Sequence, residues 1–383
     1  MSPDVVVVGG GVIGLASAWR LAQRGAAVTV VDPHPGGGAS GVAAGMLAPI
    51  TEARLGEEAL LRLNLASWSL WPAFGAEVER AAGAGIGYRA DGTLVVGLDA
   101  DDRIALDELA ARHRAMGLDV TPLRGPEVRR LEPGLAPAVR AGFLAAGERS
   151  VDPPALVEGL RRAATAAGVG FVAAAVERIA TAPSGGRVAG VVLAGEAAPR
   201  QVDAETVVLA AGCRSAGIAG LPAAARPPVR PVKGEILTLR QPPGPPLVTH
   251  TVRGLVHGFT VYLVPRADGR LIVGATVQER GWDTRVTAGG AYELVRDALA
   301  LVPGLDDAEL VAVRAGLRPG TPDDVPLIGR SAMEGLVMAT GHYRNGILLT
   351  PITAEAVVAA VAGEPLPPEV GACDPRRFEE VRV

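Results

Sequence analysis

Short apolar runs and glycine breaks alternate through the first thirty residues, in the order expected for a strand, a helix and a second strand. Val5–Val8 is an unbroken β-branched run, and Val12 to Arg24 carries apolar residues at helical spacing. Gly25 marks the end of that helix, and a second strand run over Ala27–Val31 ends at Asp32. This order predicts a complete βαβ unit with parallel strands.

Apolar runs and turn residues also predict the later elements. Residues 33 to 47 are rich in Gly, Pro and other small residues, which predicts a loop lined by backbone. The strands are expected at Phe171–Val176, Val207–Ala210, Val229–Leu239, Thr260–Val264, Arg270–Thr276, Val325–Ile328 and Leu336–Ala339. A hairpin is expected over Gly87–Leu98, with its turn at Asp91-Gly92. Helices are expected over Asp101–Met116, from the N-cap Asp152 and Pro153 to about Ala167, and over Thr350–Ala362.

The order of these elements predicts an α/β protein with two lobes. A chain of 383 residues is too long for one simple core. A Rossmann-type nucleotide-binding domain is expected over residues 1–80, 150–225 and 316–383. A strand-rich antiparallel domain that binds the substrate is expected over residues 81–149 and 226–315, so the chain crosses between the lobes several times.

Composition and charge exclude several classes of protein. The net charge is −4 with both signs dispersed, so neither nucleic acid nor an anionic membrane is an expected partner. No uncharged apolar stretch reaches 18 residues, and the start lacks the basic region of a signal peptide, so a membrane span and export are not expected. Cys213 and Cys373 lie far apart without neighbouring Cys or His, which favours neither a disulfide framework nor a metal site and fits a reducing cytoplasm.

The glycine-rich turn after the first strand predicts a dinucleotide site. Gly9, Gly11 and Gly14 are spaced G-x-G-x-x-G between a strand and a helix, and Asp32 closes the next strand. Such glycines permit a tight turn, the approach of a pyrophosphate to the helix N-terminus, and close packing of the helix on the strand. Asp32 is suited to accept the ribose hydroxyls. These residues alone leave FAD and NAD open.

Several motifs spread over most of the chain resemble the D-amino-acid oxidase superfamily of FAD enzymes. They include Ala43-Ala44-Gly45-Met46, Val151-Asp152-Pro153 and Val207-Val208-Leu209-Ala210-Ala211-Gly212. The chain is most similar to glycine oxidases of the thiamine-biosynthesis type, through Pro231-Val232-Lys233-Gly234-Glu235, Tyr262-Leu263-Val264-Pro265-Arg266, Ala315-Gly316-Leu317-Arg318-Pro319-Gly320-Thr321 and Gly341-His342-Tyr343-Arg344-Asn345-Gly346-Ile347-Leu348.

The resemblance implies noncovalently bound FAD, oxidative deamination of glycine and small amines by molecular oxygen, and supply of an imine for thiazole synthesis. It also implies a homo-oligomer. By residue, it places Arg318 on the substrate carboxylate, Arg344 between substrate and flavin, and Tyr262 at the border of the pocket. The cofactor residues that it implies, together with the glycines, are Val12, Ile13, Asp32, Pro33, Ala39, Ser40, Ala44, Gly45, Met46, Val176, Gly212, His342, Tyr343, Arg344, Asn345, Gly346, Ile347 and Leu348.

Chemistry supports an arginine as the residue that binds the substrate. Hydride transfer from an amino acid to a flavin needs no side-chain nucleophile, so the protein has to bind the carboxylate, orient the reacting C–H bond and exclude water. The planar guanidinium makes two parallel bonds to a carboxylate. Arg318 precedes Pro319, where a strand has to end, although a salt bridge is the ordinary alternative. For Lys233 two interpretations stay open: its positive charge helps to activate oxygen, or it is a solvated side chain. The sequence assigns no role to Trp68 and Trp71.

Two other functions remain open at this point. The first is an oxidase or dehydrogenase of the same superfamily that acts on sarcosine, proline or D-amino acids. The Gly341–Pro351 segment contains no cysteine, which disfavours a sarcosine oxidase with covalent FAD. The second is a binding module that holds a dinucleotide without turnover.

Overall fold

The structure is a computed structural model that describes residues 2–183, 185–195, 200–256 and 258–378. None of the helices in these ranges is long and apolar enough to span a membrane. The helices are α1 Val12–Gln23, α2 Glu58–Ala82, α3 Ala100–Ala115, α4 Gly125–Leu131, α5 Pro153–Ala166, α6 Ala288–Leu301 and α7 Thr350–Ala362. The strands are β1 Val5–Val8, β2 Val28–Val31, β3 Met46–Leu47, β4 Thr93–Gly97, β5 Thr121–Arg124, β6 Ala141–Ala145, β7 Arg149–Ser150, β8 Gly170–Val172, β9 Val176–Thr181, β10 Val188–Leu193, β11 Gln201–Asp203, β12 Thr206–Leu209, β13 Arg230–Arg240, β14 Thr251–Val256, β15 Phe259–Pro265, β16 Arg270–Gly274, β17 Glu309–Gly320, β18 Leu327–Arg330 and β19 Leu336–Thr340.

A six-stranded sheet of order β18-β19-β12-β1-β2-β8 carries the predicted βαβ unit. Strand β1 is parallel to both of its neighbours, β2 and β12. Val5 and Val7 share a buried cluster with residues of α1, α5 and α7, whereas Val6 and Val8 pack with residues of β9 and β10. Burial on both faces explains why β1 is apolar at every position. Because the chain order reverses on the two sides of β1, the carboxyl ends of these strands form the crevice where α/β proteins bind ligands.

An eight-stranded sheet of order β17-β13-β16-β15-β14-β4-β6-β5 forms the second layer. Its neighbouring strands are antiparallel, except that β14 and β4 run parallel. One face packs its apolar side chains against α6. On the other face, Ile236, Val264 and Ile272 pack against Ala44 of the loop that follows β2. That loop therefore lies between the two sheets, at the place where the candidate site forms.

Three local predictions are corrected. The hairpin at Asp91-Gly92 does not form, because Arg89 bridges to Ser150 while β4 pairs with β6 and β14. The single strand expected over Phe171–Val176 is divided between β8 and β9. Asp152 stands at the N-cap of α5 but makes no capping hydrogen bond there; its carboxylate instead accepts a bond from Arg270 at 2.7 Å.

Neither α2 nor α6 is predicted from the sequence. Helix α2 is 25 residues long and contains Pro72, a residue that usually ends a helix. The predicted domain boundary at residues 315/316 falls inside β17, so Arg318 belongs to the eight-stranded sheet.

Candidate active site

The turn between β1 and α1 brings its glycines against backbone atoms. Gly9 has a φ of 109°, and a Cβ there would lie 2.4 Å from the Ala210 oxygen. A Cβ at Gly14 would lie 1.9 Å from the Gly9 oxygen. Neither distance leaves room for a carbon atom, so the tight turn and the close seat of α1 on the sheet both require glycine.

The first turn of α1 is arranged to receive an anion. Gly11 is the N-cap and provides no side-chain cap, and the first turn contains no acidic residue. The short 3-10 helix Ala39–Val42 reaches this end, where the Val12 N–H donates to Ser40 Oγ at 3.2 Å. Free N–H groups and the helix dipole favour a phosphate at such a position. The predicted pair Ala39 and Ser40 therefore lies beside the predicted Gly11 and Val12.

Asp32 lies directly after β2 and stabilises the glycine turn. Its Oδ2 accepts from the Gly10 N–H at 2.6 Å, and its Oδ1 accepts from the His34 N–H at 2.7 Å. Each carboxylate oxygen retains a further lone pair for a ribose hydroxyl. Val176 packs against the buried cluster that contains Val31, next to Asp32. The uncapped helix, the glycines and this carboxylate together fit the dinucleotide part of FAD.

The loop between the two sheets is fixed on its far side by the start of α5. Gly45 has a φ of 79°, and a Cβ there would lie 2.1 Å from the Val151 oxygen. The Val151 N–H donates to the Gly45 oxygen at 2.9 Å, and Met46 pairs with Ser150. Ala44, Gly45 and Met46 are thus held in place between the two sheets, where they form one wall of the candidate site. The sequence predicted a loop lined by backbone here.

The segment from His342 to Leu348 forms a second wall of the candidate site. Tyr343 adopts a φ of 46° within the 3-10 helix Tyr343–Asn345. The Leu348 oxygen accepts from Ser67 Oγ at 2.6 Å and from Trp71 Nε1 at 2.8 Å, so α2 holds this segment in place. Trp71 thereby gains the role that the sequence did not reveal.

His342 is a neutral part of that wall. It is buried and its Nε2 lies 3.0 Å from Thr353 Oγ1. Burial lowers the pKa of His342 to about 3. Gly212 follows β12 with a φ of 54°, and its oxygen accepts from Thr340 Oγ1 at 3.2 Å.

Arg318 lies on β17 with its guanidinium over Gly234 of β13. A Cβ at Gly234 would lie 2.4 Å from both terminal nitrogens of Arg318. Nη1 donates to the Thr276 oxygen at 3.1 Å, and the positive charge of the group acts on the Tyr262 hydroxyl, where it opposes the rise in pKa that burial causes. In the described part of the chain, no carboxylate lies within ion-pair distance of Arg318. Arg318 therefore does not form the salt bridge that was the alternative interpretation of its sequence position.

Tyr262 occupies the space left by a second glycine. A Cβ at Gly274 would lie 2.5 Å from the Tyr262 hydroxyl oxygen. Burial raises the pKa of Tyr262, and the negative charge of Glu52 adds to this, while Arg318 and Arg253 act against it. The hydroxyl thus lies among charges of both signs, between Arg318 on one side and Glu52 with Arg253 on the other.

Glu52 and Arg253 are site residues that the sequence analysis missed. Arg253 is the strand partner of Tyr262 and hydrogen-bonds Glu52. Glu52 also lies 3.6 Å from Arg344 Nε, and Arg344 reaches Glu57 at 3.5 Å. The signal that would have identified Arg253 is a charged residue in the middle of the mainly apolar segment Thr251–Val256.

Glu148 fixes the loop that carries Glu52. It is fully buried and accepts from the Ile50 N–H at 2.8 Å, the Thr51 N–H at 2.7 Å and Thr51 Oγ1 at 2.8 Å. Burial raises the pKa of Glu148 in spite of these bonds. The loop is thus held by a side chain from the turn between β6 and β7.

Lys233 is not solvated. Lys233 and Glu235 are both fully buried, and Nζ lies 2.8 Å from Glu235 Oε1. Nζ also donates to the Arg285 oxygen at 2.5 Å, and Glu235 accepts from Thr287. The pair ties the chain after β16 to the sheet.

Comparisons with known proteins decide the family. The family model for FAD dependent oxidoreductases, called DAO, matches residues 4–360. The chain belongs to this family.

Its relatives include the bifunctional protein ThiO/ThiG of Synechocystis sp., 35% identical over 380 residues, which cover 98% of this chain and 54% of the relative. The glycine oxidase of Geobacillus kaustophilus is 36% identical over 353 residues, 91% of this chain and 90% of that protein. The chain thus spans about half the length of the bifunctional relatives.

Solved structures of the family have the same fold. The crystal structure of glycine oxidase from Geobacillus kaustophilus matches with a TM-score of 0.87 over 98% of both chains at 34% identity. An iminodiacetate oxidase from Chelativorans sp. matches with a TM-score of 0.86 at 27% identity, over 97% of this chain and 98% of that one. The two-lobed α/β fold and the dependence on FAD are therefore established for this chain.

Proposed function

We propose that this chain oxidises glycine and other small amines with molecular oxygen. In the balanced reaction, glycine, oxygen and water give glyoxylate, ammonia and hydrogen peroxide. The observation that carries the proposal is Arg318, a half-buried guanidinium whose charge acts on the nearby Tyr262 hydroxyl and which has no carboxylate partner among the described residues. The glycine oxidases among the relatives support the choice of substrate.

The chain's own residues bind and orient the substrate. When bound, FAD would supply the two-electron oxidation, with molecular oxygen as the final electron acceptor. Arg318 offers a planar fork to the substrate carboxylate, and a charge-assisted bond of this kind contributes about 1.5–3 kcal/mol. Tyr262 lies beside that fork and borders the same pocket. The paired charges of Glu52, Arg253 and Arg344 form the opposite wall, where Arg344 is proposed to lie between substrate and flavin.

The proposed cofactor contacts follow the two walls. The dinucleotide part would lie on Gly9, Gly11, Val12, Ile13, Gly14, Asp32, Pro33, Ala39, Ser40 and Val176. The flavin part would lie between Ala44, Gly45 and Met46 on one side and Gly212 and His342 to Leu348 on the other. The glycine distances and the uncapped α1 support this assignment.

One experiment tests the proposal against its alternatives. Purified protein is checked for a flavin absorbance spectrum, and peroxide is then measured with glycine, sarcosine, proline and D-alanine. We expect glycine to give the highest kcat/KM. Peroxide from sarcosine, proline or D-alanine but not from glycine would overturn the choice of substrate. Anaerobic flavin bleaching without oxygen consumption would indicate a dehydrogenase, and no bleaching with any amine would indicate a binding module.

We also propose that the imine formed from glycine serves thiazole synthesis, and that the protein is a homo-oligomer in the cytoplasm. The relative that carries both ThiO and ThiG in its name supports the first statement. The two cysteines are buried and free, which suits a reducing compartment. Light scattering coupled to size exclusion measures the oligomeric state.

A further inference from the structure

Three guanidinium groups converge on the site, and they differ in how their charge is compensated. Arg318 has no carboxylate partner among the described residues. Arg253 is paired with Glu52. Arg344 lies near three carboxylates, which are Glu52 at 3.6 Å, Glu57 at 3.5 Å and Asp324 at 3.9 Å. Among the residues that the structure describes, loss of Glu52 would therefore leave Arg344 with two carboxylate partners and Arg253 with none in direct contact.

Glu52 is an anion held in place from two sides. Its side chain is 15% exposed. Burial would raise the pKa of Glu52, but Arg253 and then Arg344 outweigh that effect and hold the pKa below its usual value. The backbone of the preceding residue, Thr51, is fixed by Glu148. Glu52 thus stays charged and stays on Arg253.

A cavity of about 270 Å³ has Arg253 in its lining. Helix α3 forms one side of it and the β14–β15 hairpin forms the other. Its lining combines uncharged side chains, among them Leu109, Leu255 and Thr260, with the charged side chains of Arg253, Glu108 and Arg112. Leu255 and Thr260 are a strand pair two positions beyond the pair Arg253 and Tyr262, so the cavity continues along the same face of the sheet. The space next to Arg253 is large enough for a carboxymethyl group.

We propose that Glu52 is a specificity-determining residue that occupies Arg253 and so restricts the site to amines with one carboxylate. This inference rests on the proposed function. Arg318 is then the one guanidinium in this cluster open to a substrate carboxylate, which fixes the direction in which the substrate binds. A second carboxylate directed toward Arg253 would meet the charge of Glu52, and such like-charge contacts reject ligands.

The direct test replaces Glu52 with its neutral isostere. Iminodiacetate is glycine with a second carboxymethyl arm on its nitrogen, so it probes the space next to Arg253. For Glu52→Gln, the ratio of kcat/KM for iminodiacetate to kcat/KM for glycine should rise at least tenfold over wild type. A ratio within threefold of wild type overturns the inference. If wild-type protein with bound flavin fails to oxidise glycine, the proposed function is overturned instead.

A binding measurement keeps the test independent of turnover. Malonate and acetate are titrated against the flavin absorbance of each variant, and the ratio of their Kd values is compared. Malonate should gain at least tenfold over acetate in Glu52→Gln, and no gain overturns the inference. If that variant does not retain flavin, Glu52→Asp provides the same test, because the shorter carboxylate cannot stay on both arginines. Its gain should be smaller, and no gain there overturns the inference as well.

Two further variants identify the cation. Glu52→Gln combined with Arg253→Met should lose the gain in the iminodiacetate-to-glycine ratio, and a gain that persists without Arg253 overturns the inference. Glu108→Gln removes an equal charge from the lining of the same cavity, on α3. It should move the ratio by less than threefold. A tenfold rise in Glu108→Gln would show that general loss of negative charge explains the effect, and would also overturn the inference.

Discussion

The nucleotide-binding turn and the substrate face of the eight-stranded sheet both depend on glycine, but their glycines face different atoms. In the turn, Gly9 and Gly14 face backbone oxygens at 2.4 and 1.9 Å from an added Cβ. On the sheet, Gly234 and Gly274 face the ends of Arg318 and Tyr262. Backbone cannot move aside without loss of the turn, whereas a guanidinium or a phenol can swing away. The first pair therefore protects the fold, and the second pair positions functional groups.

The two regions also treat buried polar groups differently. His342 lies in the nucleotide-binding region and is kept neutral by burial. On the substrate face, Arg253 hydrogen-bonds Glu52, and against the effect of burial this cation holds the pKa of Glu52 below its usual value. A cofactor held by backbone needs few fixed charges, whereas a small zwitterionic substrate is recognised largely through them.

The largest expected effect comes from Gly14→Ala. The new Cβ would collide with the Gly9 oxygen, so α1 has to leave its seat on the sheet. We expect the protein to purify without flavin, with a free energy of unfolding lower by about 3 kcal/mol or more. Flavin absorbance and urea denaturation measure both effects.

Gly289→Ala is the matched control, because Gly289 is also helical, in α6, and has nothing within 4 Å of an added Cβ. It should keep its flavin and change stability by at most about 1 kcal/mol. Stoichiometric flavin and an unchanged denaturation midpoint in Gly14→Ala would contradict this account of the turn.

Next in size is the effect of Arg318→Ala. Loss of the fork should lower kcat/KM for glycine at least about 100-fold, which corresponds to about 2.7 kcal/mol of transition-state stabilisation. The flavin spectrum should be retained, because Arg318 lies on β17 and not in the nucleotide-binding turn. Arg318→Lys should recover part of the loss, since it restores the charge without the planar fork. A near wild-type kcat/KM in Arg318→Ala would remove Arg318 from the carboxylate site.

Gly234→Ala tests the same clamp without touching the arginine. Because the colliding atoms are the mobile end of Arg318, we expect the side chain to move and the fold to survive. The kcat/KM for glycine should fall about 30-fold, or about 2 kcal/mol, with flavin retained. Gly274→Ala, which displaces Tyr262, should cost about tenfold. If either variant loses flavin or unfolds instead, the proposed difference between the two sets of glycines is wrong.

Sequence reasoning succeeded where the chemistry is local. Gly9, Gly14 and Asp32 lie within one βαβ unit, so their spacing alone predicts the turn that the structure shows. Glu52 and Arg253 lie 201 positions apart, and neither stands in a recognisable motif. They meet only in the folded protein, where Glu148 anchors the loop that carries Glu52 and Arg253 of β14 hydrogen-bonds Glu52.

The same limit applies to α2. Pro72 obscures the helix in the sequence, and the bond from Trp71 to the Leu348 oxygen spans 277 positions. Because Trp71 stands in no motif, the sequence gave no indication that it holds the segment that ends at Leu348. The failed hairpin at Asp91-Gly92 has a related cause, because the partners of β4 come from distant β6 and β14. Local turn chemistry does not choose strand partners.

The smallest expected effect tests the neutral state of His342. Its pKa is about 3 in the folded protein and about 6.5 in the unfolded chain, so between these values the unfolded chain binds more protons. Stability should therefore fall as the pH drops below about 6.5, while above that pH this residue makes no pH-dependent contribution. Relative to His342→Gln, wild type should lose about 1 kcal/mol between pH 8 and pH 5.5. Urea midpoints at both pH values, with FAD at a fixed excess, measure this difference. Identical pH dependence in the two proteins would mean that His342 is charged or exposed, and the contrast with the ion-paired substrate face would no longer hold.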